Sequence, residues 1–285
     1  MGSSNINKLP RDGPATNFEP DPYVATLTYV QTNDSVEFSN SGKKFGLVLV
    51  SAWRKFPIKL QNPYKQLIHH IKNCFHDDKF VPSNTPPSVY IYPWDDLHVT
   101  VAAFHYSHAV NDERHASQLT EHWRSVVRSA RKRDGWPAPG TMLQFDVRNV
   151  QIGARNGIIL WKESSGAMDA MRRCIEEEVS IWQQKQALSA TDDTMSPTTT
   201  TRIDYKHTVS IPGIVHSTFL RFHRIPSTCG HEVQEQFREV VLPFVLNHSA
   251  FRNVEVSVDD IKFVCEKTPC MHIPHDVEHV VEDFC

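Results

Sequence analysis

Two short apolar stretches constrain the fold most, because each sets a histidine and a threonine two residues apart. They are Leu97-His98-Val99-Thr100-Val101-Ala102-Ala103-Phe104 and Val215-His216-Ser217-Thr218-Phe219-Leu220-Arg221-Phe222. Both have strand length and are rich in β-branched and aromatic residues. Side chains alternate along a strand, so residues i and i+2 share a face. His98 therefore shares a face with Thr100, and His216 with Thr218, and these four side chains are expected to meet in one cleft. By the same alternation Arg221 is expected to point away from His216.

A His-x-Ser/Thr tripeptide alone carries little information. The chain holds 16 histidines and four such tripeptides, at His98, His105, His115 and His216. About two are expected from composition. The copies at His105 and His115 end in Ser and are assigned to chance. Those at His98 and His216 share Thr at the third place, an apolar residue at the fourth and a strand-like setting.

The remaining chain reads as scaffold. Phe45 to Ala52 is a buried-strand run, and Asn62-Pro63 caps a helix reaching Cys74 or Phe75. Pro82 to Pro87 is a loop, and Val89 to Tyr92 a short strand. Asn111 and Asp112 cap a helix whose inner face is Leu119, Trp123, Val126, Val127 and Ala130. Its basic end (Arg128, Arg131, Lys132, Arg133) complements the negative end of the helix dipole, a reading preferred over a nucleic-acid patch. Met142 to Ile152 and Gly157 to Trp161 form a hairpin. A helix covers about Ala167 to Gln186. Val233 to Phe244 is another, which Pro243 should end or kink, and Val254 to Val264 is a strand.

Each motif is followed by a polar loop, an amphipathic helix and a strand, Phe145 to Ile152 in one case and Val256 to Phe263 in the other. This repeat predicts an α+β fold of two pseudo-symmetric lobes, with antiparallel sheets lining a central cleft and helices outside. The expected domain is 43–268, with a flexible Thr-rich insert at 189–203. Residues 1–42 are read as a mostly flexible tail with one strand-like run, Tyr23 to Val30. Residues 269–285 are read as an irregular C-terminal tail.

Composition excludes some classes. A net charge of −3 and a pI near 6.6 do not suit a protein that grips long duplex nucleic acid. No apolar run has the length of a membrane span. No apolar core follows Met1-Gly2, so no signal peptide is read there, and Ile6 stands where a myristoylation site prefers Ser or Thr, so Gly2 alone is a weak match. Cys74, Cys174, Cys229, Cys265, Cys270 and Cys285 lack paired spacing, which fits reduced thiols in a cytoplasmic or nuclear protein. Cys265, Cys270 and His272 fit no usual zinc pattern, so no metal is assigned.

The paired His-x-Thr-apolar strands, together with the order of elements around them, resemble the 2H phosphoesterase superfamily over about Phe45 to Lys267. His216 to Arg221 is similar to that family's second motif, and Trp94-Asp95-Asp96-Leu97-His98 to the approach to its first. The resemblance implies a site of His98, Thr100, His216 and Thr218 that uses no metal or cofactor. It implies hydrolysis of a 2′,3′-cyclic phosphate on a nucleotide, an RNA end or a related small molecule, by a monomer. Arg221 and Trp94 are the expected substrate-binding residues. Tyr92, Trp161 and Phe222 are further aromatic groups able to stack on a base, although core packing accounts for each. Two alternatives stand beside this reading. One is 3′-end trimming of RNA by a two-histidine exonuclease, against which the threonines count. The other is a nucleotide- or RNA-binding module that keeps the cleft without turnover. The N-terminal tail, the insert and the long C-terminus are not features of the family.

Overall fold

The computed structural model describes residues 28–31, 36–39, 46–74, 89–105, 113–189, 209–222, 230–266 and 280–283, and among these described residues there are twelve strands and five α-helices. The Pro82–Pro87 loop, the Asn111/Asp112 cap, the Thr-rich segment 191–201 and Cys229, Cys270, His272 and Cys285 lie outside the described residues.

The fold is α+β with antiparallel sheets. One five-stranded sheet has the order β10 (Val254–Ser257), β6 (Met142–Ile152), β7 (Asn156–Glu163), β9 (His216–Phe222), β4 (Val89–Ile91). The other has the order β12 (Val280–Asp283), β11 (Lys262–Glu266), β3 (Gly46–Ser51), β5 (Val99–His105), β8 (Val209–Ser210). Every neighbouring pair is antiparallel. The two motif strands thus fall in different sheets, each flanked on both sides. A separate pair, β1 (Thr28–Gln31) with β2 (Val36–Ser39), lies within the stretch expected to be mostly tail, and β12 comes from the expected C-terminal tail.

The chain passes between the sheets twice by the same device. A single 3₁₀ turn, Trp94–Asp96, leads from β4 to β5, and another, Val258–Asp260, leads from β10 to β11. The second corrects the expectation of one continuous strand from Val254 to Val264. Ser257 accepts a hydrogen bond from the Asp259 amide at 3.1 Å, and the Asp259 carboxylate takes the Gly140 amide at 2.8 Å. Two adjacent aspartates, the first with its amide capped by the Ser257 hydroxyl, favour a turn over a strand, and the long-range bond from Gly140 holds the turn in place. The stretch Val256 to Phe263 therefore does not match the single strand that holds Phe145 to Ile152.

Helices α1 (Gln61–Cys74), α2 (Glu113–Arg131) and α3 (Ala167–Ser189) follow their apolar periodicity. Helix α1 starts one residue before the expected Asn62 cap. Pro63 lies in its first turn, where the amide hydrogen it lacks would have had no partner within the helix. Pro243 does not end its helix. Helix α4 (Gly230–Gln236) continues through a π turn, Phe237–Val241, into α5 (Leu242–Asn247), with the proline in the first turn of α5.

One apolar core joins the helices to one face of both sheets. Its largest enclosed side chains include Trp123, Tyr64, Phe104, Phe145, Phe219 and Phe251. A second, smaller cluster (Val48, Val50, Trp53, Val264, with Ala103 against it) covers the other face of the β3–β5 pair. Among the described residues no helix is long and apolar enough to cross a membrane.

Candidate functional site

Both motif strands are bulged at the same place. Opposite β3, Thr100 pairs with Val50 and Ala102 with Leu49, so Val101 is the extra residue. Opposite β7, Thr218 pairs with Ile158 and Leu220 with Gly157, so Phe219 is the extra residue. Each bulge directly follows the motif threonine. A bulge of this kind places two successive residues on one face and reverses the alternation beyond it. Val101 and Ala102 both enter the core, as do Phe219 and Leu220.

Arg221 is thereby returned to the face of His216 and Thr218, contrary to the expectation from simple alternation. The equivalent place after His98 is Ala103, which packs with the smaller apolar cluster. The Arg221 charge acts on both His98 and His216.

The bulge in β9 depends on Gly157. A Cβ there would meet Phe219 Cζ at 2.7 Å and Leu220 Cγ at 2.8 Å. Gly157→Ala is expected to cost about 1–3 kcal/mol by overpacking, read as a lower urea midpoint. An unchanged midpoint would show that the bulge tolerates a methyl group.

The two histidines are held alike. His98 Nδ1–H donates to the Asp96 carbonyl at 2.7 Å, and His216 makes a backbone hydrogen bond to Ile214. In each case the partner lies two residues upstream. For His98 the bond fixes the neutral tautomer, leaving Nε2 as the nitrogen with the free lone pair. His98 is 7% exposed, and burial pushes its pKa down to about 4. The Asp96 carbonyl bond opposes this, and the charges of His216 and Arg221 reinforce it. Burial also lowers His216; its bond to Ile214 opposes the shift, and Arg172 and Arg221 add to it. Both imidazoles are therefore neutral at pH 7, in a field made positive by two guanidinium groups.

The strands β5 and β9 are not hydrogen-bonded to each other, yet their Cα atoms come within 8 Å. Arg172 of α3 spans the gap. Its Nη2 donates to the Thr100 carbonyl at 2.9 Å and to the Ile214 carbonyl at 3.1 Å. Tyr92, 1% exposed, holds Arg221 through a 3.0 Å bond from Nε to its hydroxyl, while its own carbonyl takes the Tyr64 hydroxyl at 2.7 Å. Tyr92 thus contacts a site residue through its hydroxyl while its ring is buried.

The arrangement draws His98, Thr100, His216, Thr218 and Arg221 to the same region. The Trp94 ring instead packs against Phe56 and Tyr64, with centroids 6.0 and 5.8 Å away, and its carbonyl takes the Leu97 amide that sets the turn before His98. Trp161 donates its indole N–H to Ser217 at 3.0 Å, and Phe222 is fully buried. Arg172 was not legible as a site residue. Its only sequence signal is a cation set among Met168, Met171 and Ile175 on the apolar face of α3.

Two open cavities lie elsewhere. One, of about 390 Å³, is lined by Arg128, Arg131, Lys132 and Trp136 beside the Val258–Asp259 turn; the other, of about 450 Å³, lies between the end of α2 and α3. Neither includes a motif residue. Of the basic cluster at the end of α2, Arg133 binds Glu177 at 2.7 Å and Glu178 at 2.8 Å, clamping α2 to α3. Among the described residues no group of three or more His, Cys, Asp or Glu side chains is placed to hold a metal ion.

Neither a protein-family model nor a curated protein sequence matches this chain.

Proposed function

We propose that this protein is a phosphoesterase of the 2H type that hydrolyses a 2′,3′-cyclic phosphate on a nucleotide, an RNA end or a related small molecule. The observation that carries this reading is geometric: the two motif strands come from different sheets, stand within 8 Å between Cα atoms and are tied through Arg172, with Arg221 returned to the face of His216 and Thr218. The matching bulges and the matching bonds to a carbonyl two residues upstream support an approximate two-fold relation between the halves. So does the placing of each motif strand fourth of five in its sheet.

In the proposed reaction one imidazole takes a proton from water as the water oxygen attacks phosphorus. The other gives a proton to the departing ribose oxygen as its bond to phosphorus breaks. The products are a phosphomonoester and a free hydroxyl. Thr100 and Thr218 donate to the non-bridging oxygens, where charge accumulates, and Arg221 balances that charge. Because both imidazoles are neutral in the free protein, the productive complex takes up one proton. An anionic phosphate between them favours that uptake.

A screen of 2′,3′-cyclic nucleotides and RNA ends with product analysis by phosphorus NMR tests the reading. Expected is one phosphomonoester isomer, formed at an undiminished rate in EDTA. Tight nucleotide binding without product would replace the enzyme with a binding module, and stepwise release of mononucleotides from an RNA 3′ end would replace it with an exonuclease.

A further inference from the structure

We propose that Arg172 is a positioning residue of the two-histidine site: one buried guanidinium nitrogen, bonded to the backbone of both motif segments, sets how closely they stand. The inference rests on the reading of His98 and His216 as the acid–base pair.

Thr100 and Ile214 belong to different sheets, and no ladder hydrogen bond joins β5 to β9. The shared Nη2 is thus a direct polar tie between the two motif segments. It acts where register matters most, at the carbonyl of one motif threonine and at the residue whose backbone is bonded to His216. A displacement of about 1 Å between reacting groups is enough to cost on the order of 10²-fold in rate.

The chemistry of the group argues against a simple helix anchor. Arg172 is 6% exposed, its Nε has no hydrogen-bond partner, and its bonded partners are neutral carbonyls. Asp169 and Glu176 of the same helix act on it only at longer range. A buried cation held in this way is expensive for the fold, and an apolar residue would serve the α3 face better. Its charge faces the site: it disfavours protonation of His216, alongside Arg221 on β9, whereas the charges acting on His98 are those of His216, Asp96 and Arg221.

The test is titration of the histidine imidazoles by NMR in the full chain, with cyclic-phosphate turnover measured in parallel. Arg172→Gln removes the charge and is expected to move the His216 midpoint upward. His122, which burial alone lowers, should stay in place. Arg172→Lys keeps the charge and gives up the planar guanidinium geometry. It is expected to leave the His216 midpoint near that of wild type while kcat falls at least about tenfold and KM stays within about threefold. An unmoved His216 in Arg172→Gln, an equal shift of His122, or full kcat in Arg172→Lys would overturn the assignment. A wild-type protein that turns over no cyclic phosphate would instead defeat the proposed reaction, with the titration still deciding the role of Arg172.

Discussion

His98→Ala and His216→Ala are each expected to lower kcat for a 2′,3′-cyclic nucleotide by about 10²–10⁴-fold, the usual contribution of one positioned proton transfer. KM should change little, because the threonines and Arg221 remain to hold the phosphate. The double variant should be far less impaired than the product of the two single losses, since acid and base act in one concerted step. His69→Ala, an exposed position on α1, serves as the control and should be silent. Circular dichroism separates loss of chemistry from loss of fold. Undiminished turnover in both single variants would rule out two-histidine catalysis.

The second large effect is on pH dependence. His98 titrates near 4 in the folded chain, against about 6.5 when unfolded. Between those values the unfolded chain binds the proton and the folded one does not. Stability is therefore fully present above about pH 6.5 and is lost as the pH falls toward 4. The loss from this one group is on the order of 3 kcal/mol. His216, lowered in the same direction, adds to it below pH 6.5. Urea unfolding at pH 7 and pH 4.5 measures the difference, and His98→Gln should shrink it markedly. An equal pH effect in wild type and His98→Gln would place the acid sensitivity elsewhere.

Activity follows from the same shifts. One imidazole must carry a proton, and in the free protein both titrate below the ordinary value. The kcat/KM profile should therefore peak below pH 6.5 and fall tenfold per unit on its alkaline side. The kcat profile should sit at higher pH, because bound phosphate favours the imidazolium. A kcat/KM optimum above pH 7.5 would contradict the burial of the pair.

The motifs were legible because strand alternation is a local property. His98 with Thr100 and His216 with Thr218 follow from spacing alone, as do the inner faces of α1, α2 and α3. Elsewhere alternation misled. Val254 to Val264 reads as one alternating run, yet the hydrogen bonds around Ser257 and Asp259 turn it and send its halves to different sheets. The hairpin expected of Met142 to Ile152 and Gly157 to Trp161 forms as the antiparallel pair β6 and β7, with β7 extending to Asn156 and Glu163.

By itself, then, the sequence determined the mixed α+β class, the extended character of both motif segments and the shared face of each histidine with its threonine. Each of these depends only on residues a few places apart. The tertiary structure decided that the motifs belong to separate sheets, that Arg221 faces His216, and that Arg172 joins the two. A bulge exists only relative to the strand it is paired with, and the pairing of β9 with β7 is what returns Arg221 to the site. Likewise the role of Arg172 depends on two carbonyls brought together from distant parts of the chain.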